Sequence, residues 1–245
     1  MNLVLYIVVG ALVSLLLNYL ADVLPATRRL SMPECRKCGK AHTLKSYLFS
    51  FHCPVCEAKP GLRYWITLFL GMIISVLLAL FPLQPFTYWQ SLPLVTFLSL
   101  VLIIDIEHHA VLFETDFVGL ALGILYGLAL HKPLESLLGG IVGAGAMLLL
   151  YFGGILFNRV LGKIRNQEIE EVALGFGDVI VCGYLGLIAG IQHVAGFLLL
   201  TVIFSGIFAL LFVISKLIIR KYSAFTAIAY VPFMVLALIA LFYLP

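Results

Sequence analysis

Apolar residues run through this chain in long blocks, not at the alternating spacings of a soluble fold. The first block covers 2–24, and others follow at approximately 64–82, 91–107, 115–131, 136–158, 178–192, 194–215 and 225–244. A bilayer-spanning helix needs about 20 predominantly apolar residues, so the pattern predicts about eight transmembrane helices. Two boundaries are soft, because the sixth block is short and Gly139-Gly140 and Gly153-Gly154 loosen the fifth. The first block has neither a basic stretch before it nor a small-residue cleavage site behind it, which predicts a retained span, not a removed signal.

The polar stretches between the blocks fall into two kinds. FPLQPFTYWQ, HKPLES and IQH are brief, whereas the alternate connections are longer and basic. Fourteen of the fifteen Lys and Arg lie in the longer set, and only Lys132 lies in the other. The positive-inside rule then places the basic loops in the cytoplasm and both termini outside it. Composition agrees with a lipid environment: 63% of the residues are hydrophobic and 11% charged, against about 25% charged in soluble domains. A net charge of +3 spread along membrane-flanking loops gives no support to nucleic-acid binding. The expected architecture is an all-α polytopic membrane protein. It divides into a first transmembrane helix (1–24), a cytoplasmic four-cysteine loop (25–63) and a seven-helix membrane core (64–245).

The first loop contains Cys35, Cys38, Cys53 and Cys56, two CxxC pairs with fourteen residues between them. Four thiolates at such spacing can close a tetrahedron around Zn²⁺. Gly39 follows one pair and Pro54 lies inside the other, as tight ligand turns prefer. The competing arrangement, two disulfides, is disfavoured on a cytoplasmic face where thiols stay reduced. With sulfur in every position the zinc would be structural, folding a loop too small to own a core. His42 and His52 are read as surface residues, and Cys182, within a span, as a packed one.

Ionisable groups inside apolar blocks are costly and mark function by default. Asp105 ends the third block, in LSLVLIIDIEHH, and Asp178 opens the sixth, in LGFGDVIVCG. Counting spans puts both at one depth on the cytoplasmic face. Gly175 and Gly177 before the second aspartate suit a tight turn or a close approach by another chain segment. Two carboxylates within hydrogen-bonding distance cannot easily both ionise, so they share a proton. One can then draw a proton from water while the other donates to a carbonyl oxygen. Ser14, Ser46, Ser50 and Ser99 lack His and Asp partners at a shared depth, and no HExxH or phosphate-binding loop occurs. A transporter using the aspartates as a proton or metal relay is the alternative, although transporter sites lie nearer the midplane. Glu107, His108 and His109 follow Asp105 and could line a site, but the histidines are read as solvated. Glu114 and Asp116 open the fourth span, where a helix N-terminus favours anions. Asp22 and Asn18 are read as hydrogen-bonding to a neighbouring helix. The stretch NRVLGKIRNQEIEEVALGFG carries Glu168, Glu170 and Glu171, and is expected to be either a gate for a basic peptide or a plain charged linker.

The ordered set LNYLADVLP, two CxxC pairs, RYW, IDIEHH, GFGDV and AYVPF resembles the bacterial type IV prepilin peptidases, GxGD-type intramembrane aspartic proteases. The resemblance spans nearly the whole chain. It implies that Asp105 and Asp178 are the catalytic pair. It further implies that the substrates are type IV prepilin or pseudopilin precursors whose short basic leader is removed at the cytoplasmic face of the inner membrane. Three positions depart from the family pattern. VLFETD stands where the family has Leu/Ile-Pro-Asp, Ile180 replaces a common lysine, and Arg63-Tyr64-Trp65-Ile66-Thr67-Leu68 lacks the glutamate of RYPxxE. Many members also N-methylate the new terminus with S-adenosylmethionine; the missing glutamate and short loop weigh against that here. The departures also leave room for a divergent or inactive homologue serving pilus assembly.

Overall fold

The protein is described by a computed structural model covering residues 3–35, 37–41, 43, 47, 53, 55–165, 175–219 and 229–244. Among these residues there are seven helices and no strand longer than an isolated bridge between Glu34 and Ala41. We number them α1 (Leu3–Thr27), α2 (Leu62–Leu80), α3 (Tyr88–His108), α4 (Phe113–Leu130), α5 (Pro133–Arg165), α6 (Phe176–Ile218) and α7 (Val231–Leu241). The first six are long and apolar enough to cross a membrane, and α7 is shorter, at 11 residues. The protein is therefore a multi-pass membrane protein. The chain forms two compact units, Met1–Ile104 and Asp105–Pro245, so the division along the chain falls within α3.

The first unit is organised by the packing of α1 against α2. Between helices in lipid, small residues allow the close approach that van der Waals packing needs. A Cβ on Gly10 would lie 2.7 Å from the Gly71 carbonyl oxygen and 2.7 Å from Ser75 Cβ. Ser14 Oγ turns back to the Gly10 carbonyl at 2.7 Å, and Ser75 Oγ donates to Tyr6 O at 2.7 Å. Each hydroxyl thereby finds an acceptor inside the helix pair instead of facing hydrocarbon.

In the second unit α6 is the central element, packed against α5, α7 and α4. It covers two expected spans, 178–192 and 194–215, as two helical arms joined at a kink. Hydropathy marks Ile191-Gln192-His193 as a connection, but these residues stay helical, and the break falls at Gly190 (φ 66°, ψ 165°). That left-handed φ is one that glycine adopts without penalty. A Cβ there would also meet the His131 ring at 2.7–2.8 Å. Carbonyls beside such a break lose regular ladder partners. Here Ser136 Oγ donates to Leu187 O at 2.9 Å, and His131 Nε2 lies 3.0 Å from Ile188 O. The polar side chains at the α4–α5 turn thus cap the interrupted helix.

Candidate active site and metal centre

Asp105 sits in the last turn of α3, and Asp178 in the first turn of α6. Helices α4 and α5 form an antiparallel excursion between them, joined by the short turn at His131-Lys132. The excursion brings together two residues 73 positions apart. Both are buried, 4% and 8% exposed, and they lie within electrostatic reach of each other. Each carboxylate is held by a backbone donor at a helix start. Val231 N–H, at the head of α7, donates to Asp105 Oδ2 at 3.1 Å. Gly175 N–H, at the head of α6, donates to Asp178 Oδ2 at 2.9 Å, while Asp178 N–H returns a bond to Gly175 O at 3.1 Å. A helix N-terminus presents unpaired N–H groups and the positive end of its dipole, so both positions suit a carboxylate. Among the described residues, neither Oδ1 has a further hydrogen bond.

The two glycines before Asp178 differ in role. Gly177 lies under Val111, and a Cβ would stand 2.7 Å from Val111 Cβ and 3.0 Å from its Cγ2. Close approach therefore demands glycine at 177. Gly175 has an ordinary extended backbone (φ −81°, ψ 154°), and a Cβ would make only ordinary contacts, with Asp178 Oδ2 at 3.6 Å and Gly177 N at 3.9 Å. Neither the turn nor a close approach requires glycine there.

Other residues singled out in the sequence fall into place around the pair. His108 and His109 are exposed, and His108 lies 3.9 Å from Glu107. Cys182 is buried one turn beyond Asp178. Tyr184, which the sequence reading did not single out, is fully buried with its phenol within electrostatic reach of Asp116, Asp105 and Asp178. Nothing in its local pattern distinguishes it from any other aromatic residue in an apolar helix. Val231 carried a weak signal: Pro232 at the second helical position marks a helix start. Leu174, Glu168, Glu170 and Glu171, with the gate expected over them, lie outside the described residues, as do His42, His52 and Ser46.

The four cysteines converge. Their sulfurs all lie within 4.8 Å of one another, with Cys35–Cys56 at 3.6 Å and Cys38–Cys53 at 3.7 Å, and all five cysteines of the chain are free thiols. Four sulfurs about 2.3 Å from a central zinc would stand about 3.8 Å apart, so the cluster fits a tetrahedral metal. The two halves share one backbone plan. Cys35 N–H donates to Lys40 O and Gly39 N–H to Cys35 O; Cys53 N–H donates to Ala58 O and Glu57 N–H to Cys53 O. Gly39 (φ 69°) and Glu57 (φ 52°) hold equivalent left-handed positions. The Cys56 and Val55 N–H groups point at Cys53 Sγ and hold that thiol below its usual range, which favours the thiolate a metal needs.

A polar knot joins this loop to its own unit. Arg63 pairs with Asp22 at 2.7 Å, and the Tyr47 hydroxyl donates to the other Asp22 oxygen. Burial first, then that bond, pushes the Tyr47 phenol far above its usual value, so it remains a donor at physiological pH. Asn18 Nδ2 reaches the Tyr64 carbonyl at 3.4 Å. Asp22 and Asn18 therefore serve to bind segments of this unit together.

A multi-pass membrane protein with a buried, backbone-held carboxylate pair and a four-thiol cluster defines the class. The family is settled by sequence: a model of the type IV leader peptidase family matches residues 92–214, half of the chain, and the protein belongs to that family. The matched region runs from α3 into α6 and includes both aspartates. No curated protein and no solved structure matches the chain.

Proposed function

We propose that this peptidase is an intramembrane aspartic endopeptidase in which Asp105 and Asp178 are the catalytic residues. The observation that carries the reading is the pair itself: two buried carboxylates from distant positions, each fixed through Oδ2 by a backbone N–H, each with Oδ1 open. Like charges so placed share one proton. The ionised carboxylate takes a proton from water, and the water oxygen attacks the peptide carbonyl carbon. The protonated partner hydrogen-bonds the carbonyl oxygen and gives it the proton as the tetrahedral intermediate forms. Collapse breaks the C–N bond: the proton taken from water passes to the leaving amine, and one hydroxyl of the intermediate returns its proton to the second carboxylate as the new carboxyl group forms. Val231 and Gly175 keep both carboxylates in register without competing for the reacting oxygens.

The substrates are type IV prepilin or pseudopilin precursors, cut after a short basic leader at the cytoplasmic face of the inner membrane. Both termini are non-cytoplasmic, and the two arms of α6 with α7 complete eight spans. Residues 1–24 form the first span, 25–63 a loop domain around a structural zinc held by Cys35, Cys38, Cys53 and Cys56, and 64–245 the peptidase core. The zinc supplies folding energy to the loop and takes no part in bond cleavage. Methyl transfer from S-adenosylmethionine is outside the proposal, since the glutamate of the RYPxxE pattern is absent.

Co-expression with a pilin-like precursor, followed by mass analysis of the product N-terminus, tests the reading. Cleavage by the wild type and none by Asp105→Asn or Asp178→Asn, at equal abundance in the membrane, is expected. Cleavage retained by either variant would remove the aspartic mechanism.

A further inference from the structure

Helix α3 ends at His108, and the next residue, His109, turns into the left-handed region at φ 47° with its side chain exposed. Its N–H donates to the Asp105 carbonyl at 2.9 Å, four residues back. Many helices stop on this bond, and glycine ordinarily takes the left-handed position because a Cβ there is costly. Histidine therefore stands where backbone conformation alone would choose glycine. The segment it opens is anchored on both sides of the site. Two residues on, Val111 lies over Gly177, where a Cβ would stand 2.7 Å from it, and Asp178 follows directly. The turn from His109 to Val111 thus ties the end of α3, which carries Asp105, to the start of α6, which carries Asp178.

Asp105 needs what such a side chain can supply. It lies in the last turn of α3, where unpaired carbonyls form the negative end of the helix dipole and oppose a carboxylate. Asp178, at a helix start, has the opposite setting. The Val231 N–H offsets part of the difference. Among the described residues, His109 is the cationic group within electrostatic reach of the Asp105 carboxylate. The other titratable groups about the turn are Glu107 and His108, 3.9 Å apart, Asp178 at the head of α6, and Glu114 with the buried Asp116 in the first turn of α4. An imidazole of ordinary basicity carries its charge through the pH range in which carboxylates ionise. We propose that His109 is a positioning residue of the peptidase site: its imidazolium, on the turn that joins the two catalytic aspartates, is the counter-charge that favours Asp105 as the carboxylate of the pair. The proposal rests on the peptidase reading above and adds to it a group that eases the first ionisation of the dyad.

The test is the pH profile of kcat/KM, measured with the purified full-length protein and a pilin-like precursor. Glycine suits the backbone at 109 best, so His109→Gly should fold at least as well as the wild type, with a thermal midpoint no lower. Its acid limb should nevertheless move to higher pH by about one pH unit, a loss of roughly tenfold on that limb that fades towards the plateau. His109→Asn, which tolerates the left-handed backbone but is neutral, should follow the glycine variant. His109→Lys, which keeps the charge, should return the limb to the wild-type position or below it. A residue that only stops the helix behaves otherwise. A His109→Gly profile that superimposes on the wild type, or is lowered equally at every pH, overturns the proposal, as does a lysine variant displaced as far as the glycine one. Failure of the wild type to cut any precursor, or cleavage retained by Asp105→Asn, is a different result, and removes the peptidase reading on which the proposal stands.

Discussion

Replacing Gly177 by alanine adds one methyl group where the structure leaves no room for it. The new Cβ would stand 2.7 Å from Val111 Cβ and 3.0 Å from Val111 Cγ2. Carbon atoms pack best at about 3.5–4.0 Å, so the segment must retreat from Val111 by roughly 1 Å. Overpacking of this kind costs about 1–3 kcal/mol. Because Asp178 is the next residue, the displacement reaches its carboxylate and the Gly175 bond that fixes it. A misplacement of about 1 Å at a reacting group can lower a rate by ~100-fold. Gly177→Ala should therefore cut precursor less efficiently by about that factor and unfold a few degrees earlier in detergent. Gly175→Ala, which meets only ordinary contact, should stay within about twofold, under 0.5 kcal/mol. The nearest obstructing atom is Val111 Cβ, which alanine retains, so Val111→Gly should restore activity to Gly177→Ala and Val111→Ala should not. The measurement is initial cleavage rate and thermal midpoint for each single and double variant. Equal losses in Gly175→Ala and Gly177→Ala, or rescue by Val111→Ala as good as by Val111→Gly, would refute the steric account.

Three further outcomes follow from the same geometry. Glu57 holds a left-handed φ of 52° at the position where the other half of the loop uses Gly39; Glu57→Gly should stabilise the loop by ~1 kcal/mol, seen as slower proteolysis between α1 and α2. Cys35→Ser or Cys53→Ser should lower metal content from about one zinc per chain towards none and reduce protein abundance, as read by elemental analysis and immunoblot; unchanged zinc would remove the four-sulfur site. Gly190→Ala combines a left-handed φ with a Cβ against the His131 ring, so a loss of about 2 kcal/mol or more is expected in detergent unfolding.

Hydropathy alone located the first four helices to within three residues, because burial in lipid demands an unbroken apolar run whatever the packing inside, but α5 runs on to Arg165 past the expected end at 158 and α7 starts at Val231, not at 225. It misplaced the break in α6, because Gln192 and His193 are polar but helical, while the actual break needs only a glycine free to take a positive φ. The cysteine cluster was legible since all four ligands lie in one short loop. Asp105 and Asp178 were legible as carboxylates in apolar runs, but their supports were not. The Val231 donor is 126 positions from Asp105, and the Val111 contact that requires Gly177 has no periodic signature. The burial of Asp116 depends on which way its helix is rotated, and a strongly apolar helix leaves that rotation weakly specified by pattern.

The hydrogen bonds on Asp105 and Asp178 come from main-chain nitrogens, and this shapes how the site can be dissected and how it can drift. Truncating Val231 to alanine, or replacing Gly175 by any residue other than proline, leaves the N–H in place. An alanine scan would therefore pass over both supports in silence. Only proline, which lacks the donor, or an ester in place of the amide would expose them. Sequence at 231 is accordingly free to vary among residues that fit its buried surroundings, while the contact it makes persists.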